Sequence, residues 1–475
     1  MHLKRKSIAV GSIICILTGC WIAWAAIAHH RLAVQIAQIR TDGDPVLPQD
    51  FPAANVPDDQ NAAKYFADAA AAMDQNNWPP SSSNLRYNDY PPFPAEWYRL
   101  ADAAVMANTK TLELARQARK FDRFDWGFVN TPAYSQNDPA LTYIGFVSIL
   151  NPLRALANLL GDAALDAHLH GDDADAIERI AEGLYLAKII NSGGGIIANL
   201  SGIAVDDLIT EKLEAIAGRL QIEGAVQLPS APTGKNIRRV RRSAVQAVIR
   251  QLLDRGAPQW QRDALIRGRT ETLQYFKCVG GHQLLLRPMF DLAAARSLKA
   301  DEPFVRAAGA GDWASARASL FALPPNTGPM PTGAKPQNPP RYSRIIPENY
   351  LPIQILQLNW LWIAQRRAAA VSLASQLYRA DHSKWPQTLE DLHPDYLSML
   401  PPDPFGNGNG IGYILEPIAG PWGANRPMVY TNQASRLLGA PPAVPCYGWQ
   451  NGAVRWLDVS SWSPPPSTAP AAKPE

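Results

Sequence analysis

The sequence predicts a mainly α-helical protein made of helical hairpins, with a small α+β unit near its C-terminal end and an apolar transmembrane helix at its N-terminal end. Three observations predict it. Residues 7–28 carry no charged side chain. Apolar residues recur at helical spacing through most of 96–322. Short apolar runs separated by Gly, Asn and Pro turns, the pattern of strands, occur beyond residue 410.

The first element is the apolar run. It is 22 residues long, which as a helix gives roughly 33 Å, enough to cross a hydrocarbon core of about 30 Å. Lys4-Arg5-Lys6 precede it and only Arg31 follows closely. A basic flank is retained on the cytoplasmic side, so the expectation is one span of the inner (cytoplasmic) membrane with residues 31–475 extracytoplasmic. A second reading competes. Leu17-Thr18-Gly19-Cys20 has the form of a lipobox, after which Cys20 would carry lipid and the chain would be a lipoprotein. Trp21 to Ile27 stays apolar, whereas a mature lipoprotein turns polar soon after its cysteine, and this favours the uncleaved anchor. A cleaved signal peptide that releases the body is the third outcome. No other run is long enough to span: 351–364 is short and interrupted by Gln354, Gln357 and Asn359.

Composition bounds the rest. With 475 residues and 47% hydrophobic residues, the chain has room for two or three domains with cores. A formal charge of +3 does not imply a nucleic-acid partner. Cys15 and Cys20 belong to the anchor, which leaves Cys278 and Cys446 in an oxidising compartment. They either pair as a disulfide or stay free and buried. Two cysteines with no nearby His do not make a zinc site.

Along the chain, the division expected is an anchor (1–30), a stalk and first helix (31–95), a helical domain (96–322), a Pro-rich linker (323–352), an α+β unit (353–462) and a disordered tail (463–475). Residues 32–40 read as a helical stalk stopped by Gly43 and Pro45. Asp58 is the expected N-cap of the helix carrying Ala62, Phe66, Ala70 and Met73. Residues 100–118 read as one long helix. Residues 150–170 and 173–192 form a hairpin broken at Gly171, a unit similar to stacked helical repeats, and Gly193-Gly194-Gly195 separates it from a helix over 196–220. Fourteen basic and four acidic residues between 235 and 300 make a cationic island. Within it Arg238, Arg239, Arg241 and Arg242 are the candidate patch for an anionic partner, with a merely solvated helix as the plainer reading. A helix through Ile363, Ala369, Leu373 and Leu377 then leads to strands at 412–415, 428–430 and 453–457.

Around that helix end the residues follow a recognisable pattern. Tyr378 is followed by Trp385-Pro386, then Leu389 and Leu392, Pro394, Tyr396-Leu397, and Asp403-Pro404-Phe405 with Gly406-Asn407. The segment resembles the head of type II secretion pseudopilins. The resemblance implies a small α/β cap in which these residues turn the chain and pack, and do no chemistry. The anchor lies some 330 residues upstream of this head, not directly before it, and Asp458 alone stands where the major pseudopilins hold calcium, so no filament assembly and no cofactor is carried over. Gly43-Asp44-Pro45, the run 56–63 and Tyr65 are similar to those of a family of membrane-anchored bacterial envelope proteins, which brings no activity with it.

The chemistry candidates are weak. His168 and His170 at i and i+2 on a helix point about 200° apart and cannot readily share a metal. They read as a helix C-terminus followed by an aspartate cap, Asp172 or Asp173. The triple glycine has no lysine and Ser/Thr to complete a phosphate loop. Ser201, Asp206 and His282 form a triad on paper alone, and Asp162, Glu178 and Asp206 read as surface charges of helices. The sequence therefore predicts no catalytic, cofactor or metal residues. It points to a structural or interaction protein of the bacterial envelope, connected with secretion, with a protein partner; the alternative is an envelope hydrolase whose site lies in the helical domain.

Overall fold

The computed structural model describes residues 2–51, 56–74, 95–126, 139–224, 237–321, 350–406, 410–416, 426–430, 446–450 and 453–457. The tail beyond 462, nearly all of the linker and the loop 76–94 lie outside the described residues. The protein is mainly helical, and its first helix is apolar.

Helix α1 (His2–Thr41) runs without a break from its basic flank to Gly43, whose φ of +87° ends it. At 40 residues it is about 60 Å long. Its second half is no free stalk. Leu32 and Ile39 are buried in a small core with Leu273, Phe276, Ala294 and Leu298, so the expected stalk is corrected to a docked helix. The correction has a plain cause: Leu32, Ile36 and Ile39 make an apolar stripe at helical spacing, and an apolar stripe is buried where a partner exists.

Two helices follow, α2 (Ala62–Ala72) and α3 (Ala95–Ala107), and α4 (Thr109–Ala118) comes directly after α3. The N-cap of α2 is Asn61, not Asp58: its side chain accepts from the Ala63 N–H at 3.1 Å, while Asp58 opens a short 3-10 turn. The helix expected over 100–118 breaks at Asn108, where the side-chain oxygen accepts the Asp74 N–H at 2.8 Å.

The centre of the molecule is the antiparallel series α5 (Pro139–Leu169), α6 (Asp173–Gly193) and α7 (Ile196–Ala217). Gly171 at φ +81° makes the first turn, and the Asp172 side chain caps α6 by accepting from Asp175 N–H at 2.9 Å. Helix α7 approaches α6 closely because Gly183 and Gly202 carry no Cβ. A methyl group at Gly202 would lie 2.9 Å from the Asn191 backbone nitrogen.

Helix α8 (Arg242–Leu252) leads to the hairpin α9 (Ala257–His282) and α10 (Arg287–Ala308), followed by α11 (Trp313–Phe321). Helix α12 (Tyr350–His382) crosses the body, and its Leu373, Ala374 and Leu377 join the main core of α2 and α4–α8. Its N-terminal part, with Trp360, Trp362 and Ile363, belongs to a second core with Trp260, Phe304, Trp313 and Phe405. Four strands, β1 (Gly412–Glu416), β2 (Arg426–Tyr430), β3 (Cys446–Gln450) and β4 (Ala453–Leu457), form an antiparallel sheet in sequential order. Gly412 pairs with Tyr430, and Cys446 pairs with Tyr430 on one side and Leu457 on the other. β2 lies against α12 and β4 against α7.

Candidate functional site

Five places on the molecule bear on function. The first is α1. By length and composition it is able to cross a membrane, and the residues that would do so are almost wholly exposed on the body. Cys20 is among them and is exposed. Past Arg31 the helix is held by polar contacts as well as apolar ones. Arg40 donates to both Asp50 oxygens, at 2.7 and 3.0 Å from Nη2, and holds the Asp50 carboxyl down at about 2. Asp44 accepts from Arg262 of α9 at 2.5 Å and lies 3.6 Å from Arg269, which also donates to the Pro45 carbonyl at 3.2 Å.

That contact explains part of the cationic island. The island is no uniform surface, because several of its arginines face acids of other elements. Arg238 pairs with Asp172 at 2.6 Å, and Arg242 donates to Asp381 at 2.7 Å. The candidate patch is also not helical: Arg238 and Val240 bridge to the Asp172 and Ile222 backbones, Arg241 precedes α8, and only Arg242 begins it. Arg241 and Arg250 are exposed, Arg239 half-buried.

The third place is the end of α5. The two histidines part, as their spacing requires. His168 Nδ1 lies 2.5 Å from Asp173 Oδ1, a buried pair that caps the hairpin. His170 points outward, its Nδ1 donating to the Asp166 carbonyl at 2.9 Å, with Nε2 3.6 Å from Asp102 of α3. Asp102, Asp166 and His170 offer ligand atoms all within 4.8 Å of one another, close enough to hold a metal ion between them. Asp166 is buried, and desolvation pushes its carboxyl up to about 6. Asp102 comes from a distant helix, and no local signal in the sequence joins it to the histidines.

Two of the acids taken as surface charges are buried, which corrects that reading. Asp162 pairs with Lys212 at 3.0 Å, and Asp206 with Arg366. Only Glu178 stays half-exposed, bonded to Arg119 at 2.6 Å. Their partners lie 50 and 160 residues away and could not be matched by spacing.

The fourth place is the turn after α12. Tyr378 stacks with His382, ring centroids 4.2 Å apart, and lies 5.6 Å from Tyr396. Trp385 lies under the Arg379 guanidinium at 4.4 Å. The Pro386 carbonyl accepts from the Tyr413 hydroxyl of β1 at 2.8 Å, which ties this turn to the sheet. Leu389, Leu392 and Leu397 are buried; a 3-10 turn spans Glu390–Leu392, and the His393-Pro394 peptide is cis. Tyr396 donates to Asp381 at 2.7 Å. Asp403 Oδ1 accepts the Phe405 N–H at 2.9 Å, Pro404 accepts the Trp313 N–H at 2.9 Å, and Phe405 fills the tryptophan core. Among the described residues of the motif, Leu389, Leu392, Leu397 and Phe405 are buried, and Pro386, Tyr396 and Asp403 make turn contacts.

The fifth is an open groove of about 670 Å³ between α6, α8 and the 394–398 turn. Lys188 and Asp254 pair within it at 2.8 Å, while its Arg119 and Tyr396 bond to Glu178 and Asp381 outside it. Cys278 is half-buried on α9, and Cys446 opens β3. No family model, no curated protein and no solved structure matches this chain.

Proposed function

We propose that this chain is a single-span protein of the bacterial inner membrane, with its helical body on the extracytoplasmic face, that acts by interaction and not by catalysis. The observation that carries the reading is the division of α1. Between Gly11 and Ile27 it is mostly exposed, while Leu32, Ile39 and Asp44 clamp the later part to the body. A bare apolar helix of that length is stable only in lipid or against a partner. The three cations before it set the cytoplasmic end.

The turn after α12 and the four-strand meander support a pseudopilin-like head, and with it an association with secretion machinery. Arg241 and Arg250 leave a smaller cationic surface for an anionic protein partner than the composition of the island alone suggests.

Alkaline extraction of membranes, followed by affinity recovery of the solubilised chain, tests the reading. The expected result is a chain that stays in the pellet and recovers an envelope protein. Release of the full-length chain into the soluble fraction contradicts the anchor. Recovery of the chain with no protein partner contradicts the interaction role.

A further inference from the structure

Among the described residues outside α1, the α9–α10 turn carries the longest run of exposed large apolar side chains. Leu284 is 70%, Leu285 75% and Leu286 44% exposed, with Met289 behind them also exposed. Three consecutive exposed leucines at the tip of a hairpin are costly to leave in water. The tip is not pointed at random. The indole Nε1 of Trp21, inside the apolar run of α1, donates to the Leu285 carbonyl at 3.0 Å. This contact fixes the tip beside the membrane-crossing half of the helix.

We propose that the α9–α10 tip is a second membrane contact, inserted into the hydrocarbon of the outer leaflet beside α1. The proposal rests on the reading of α1 as a span. Trp21 is seven residues before Ala28, the end of the charge-free run, so the tip lies roughly 10 Å below the level where that run ends. A turn at that depth must satisfy its own backbone. It does so in good part: Leu286 N–H donates to Gln283 at 2.9 Å, Met289 N–H to Leu286 at 2.9 Å, and the Leu285 carbonyl takes the indole. The cations fall where such a depth requires them. Lys277 lies about 8 Å back from the end of α9, and exposed Arg296 about 14 Å along α10 from its start, both on the headgroup side of the tip. Arg287 is exposed beside the tip and has a stem long enough to reach upward. Half-buried Asp291 is the one acid between tip and headgroup level, and its charge acts on Lys277. Water, or the face of another protein, is the competing environment for the leucines. The bond from Trp21 to the Leu285 carbonyl favours lipid, because it holds the tip at the depth of the apolar run.

The test is carbene photolabelling of the full-length chain in phosphatidylglycerol–phosphatidylethanolamine vesicles, with a hydrocarbon-soluble diazirine, glutathione as aqueous scavenger, and peptide mapping by mass spectrometry. The expected result is label in the 7–28 peptide and in the peptide holding 284–289, with none around exposed Met106. Label in 7–28 alone overturns the second contact and leaves the anchor standing. Label in neither overturns the anchor, and the second contact falls with it. In the Leu285→Asp variant the tip label is lost while the 7–28 label persists; tip label undiminished in that variant also overturns the proposal.

Discussion

The guanidinium of Arg366 on α12 donates to the carboxylate of Asp206 on α7, and neither side chain reaches solvent. Arg366 also donates from Nε to the Leu252 carbonyl at 3.1 Å, and its guanidinium lies 5.2 Å from the Trp362 ring and 5.8 Å from that of Trp260. One side chain therefore joins the end of α8, the centre of α7 and the tryptophan core. Burial pushes the Asp206 carboxyl up while Arg366 pulls it down.

Breaking this pair strands a buried charge. Arg366→Leu is expected to cost about 3–5 kcal/mol, and Asp206→Leu combined with Arg366→Leu to recover much of that loss. Thermal unfolding in detergent of the two variants checks it. A single variant as stable as the parent would show that the charge is solvated in a way the burial of both groups does not allow.

The α6–α7 crossing depends on the absence of a side chain at Gly202. Gly202→Ala places a methyl 2.5 Å from Asn191 Cγ and 2.9 Å from its backbone nitrogen. The helices must part, at an expected cost of about 1–3 kcal/mol. Gly281→Ala, on a helix with nothing within 4 Å of the added Cβ, is the control and is expected to be neutral or slightly stabilising. Comparison of the two melting temperatures decides.

Stability should peak on the acid side of neutrality. Burial raises Asp166 and Asp301 each to about 6, above their unfolded values near 3.9. Raised groups contribute stability that is fully present below the unfolded pKa and lost as pH rises through the folded one. Stability therefore grows from pH 7 toward 5. Asp50, at about 2, and Asp381, lowered by its hydrogen bonds from Arg242 and Tyr396, act in the opposite sense: their contribution is present above about 4 and lost as pH falls further. A maximum near pH 5 in the melting temperature is the expected outcome, and Asp166→Asn should flatten the slope between 5 and 7.

The clasp between Arg242, Asp381 and Tyr396 is partly exposed, so its removal is expected to be mild. Arg242→Ala should cost no more than about 1 kcal/mol. The more telling readout is local: amide exchange of the 390–398 turn should quicken in Tyr396→Phe, because the hydroxyl bond to Asp381 is what ties that turn to the end of α12.

What the sequence made legible was local. Gly171 and Asp172 announce a turn and a cap within three residues, Gly43 ends α1, and the strands at 412–416, 426–430 and 453–457 lie within two residues of the runs that predicted them. What it hid depends on distant partners. The break at Asn108 is made by the backbone of Asp74, and the burial of Asp162 and Asp206 by Lys212 and Arg366. Strand β3, Cys446–Gln450, has the strand-favouring Tyr447 and Trp449 but a glycine between them, so the run is too short and broken to stand out before its pairing with β2 and β4 is known. The cationic island misled for a related reason: composition counts charges and cannot say which of them face an acid such as Asp44.

On the proposed reading, α1 remains part of the folded protein and holds it to a membrane. Intact-mass measurement of the chain extracted from membranes tests it most directly. The expected result is a chain that keeps residues 1–20, with Cys20 unmodified. A mature chain that begins at a lipid-bearing Cys20, or one cut after the apolar run, would contradict it.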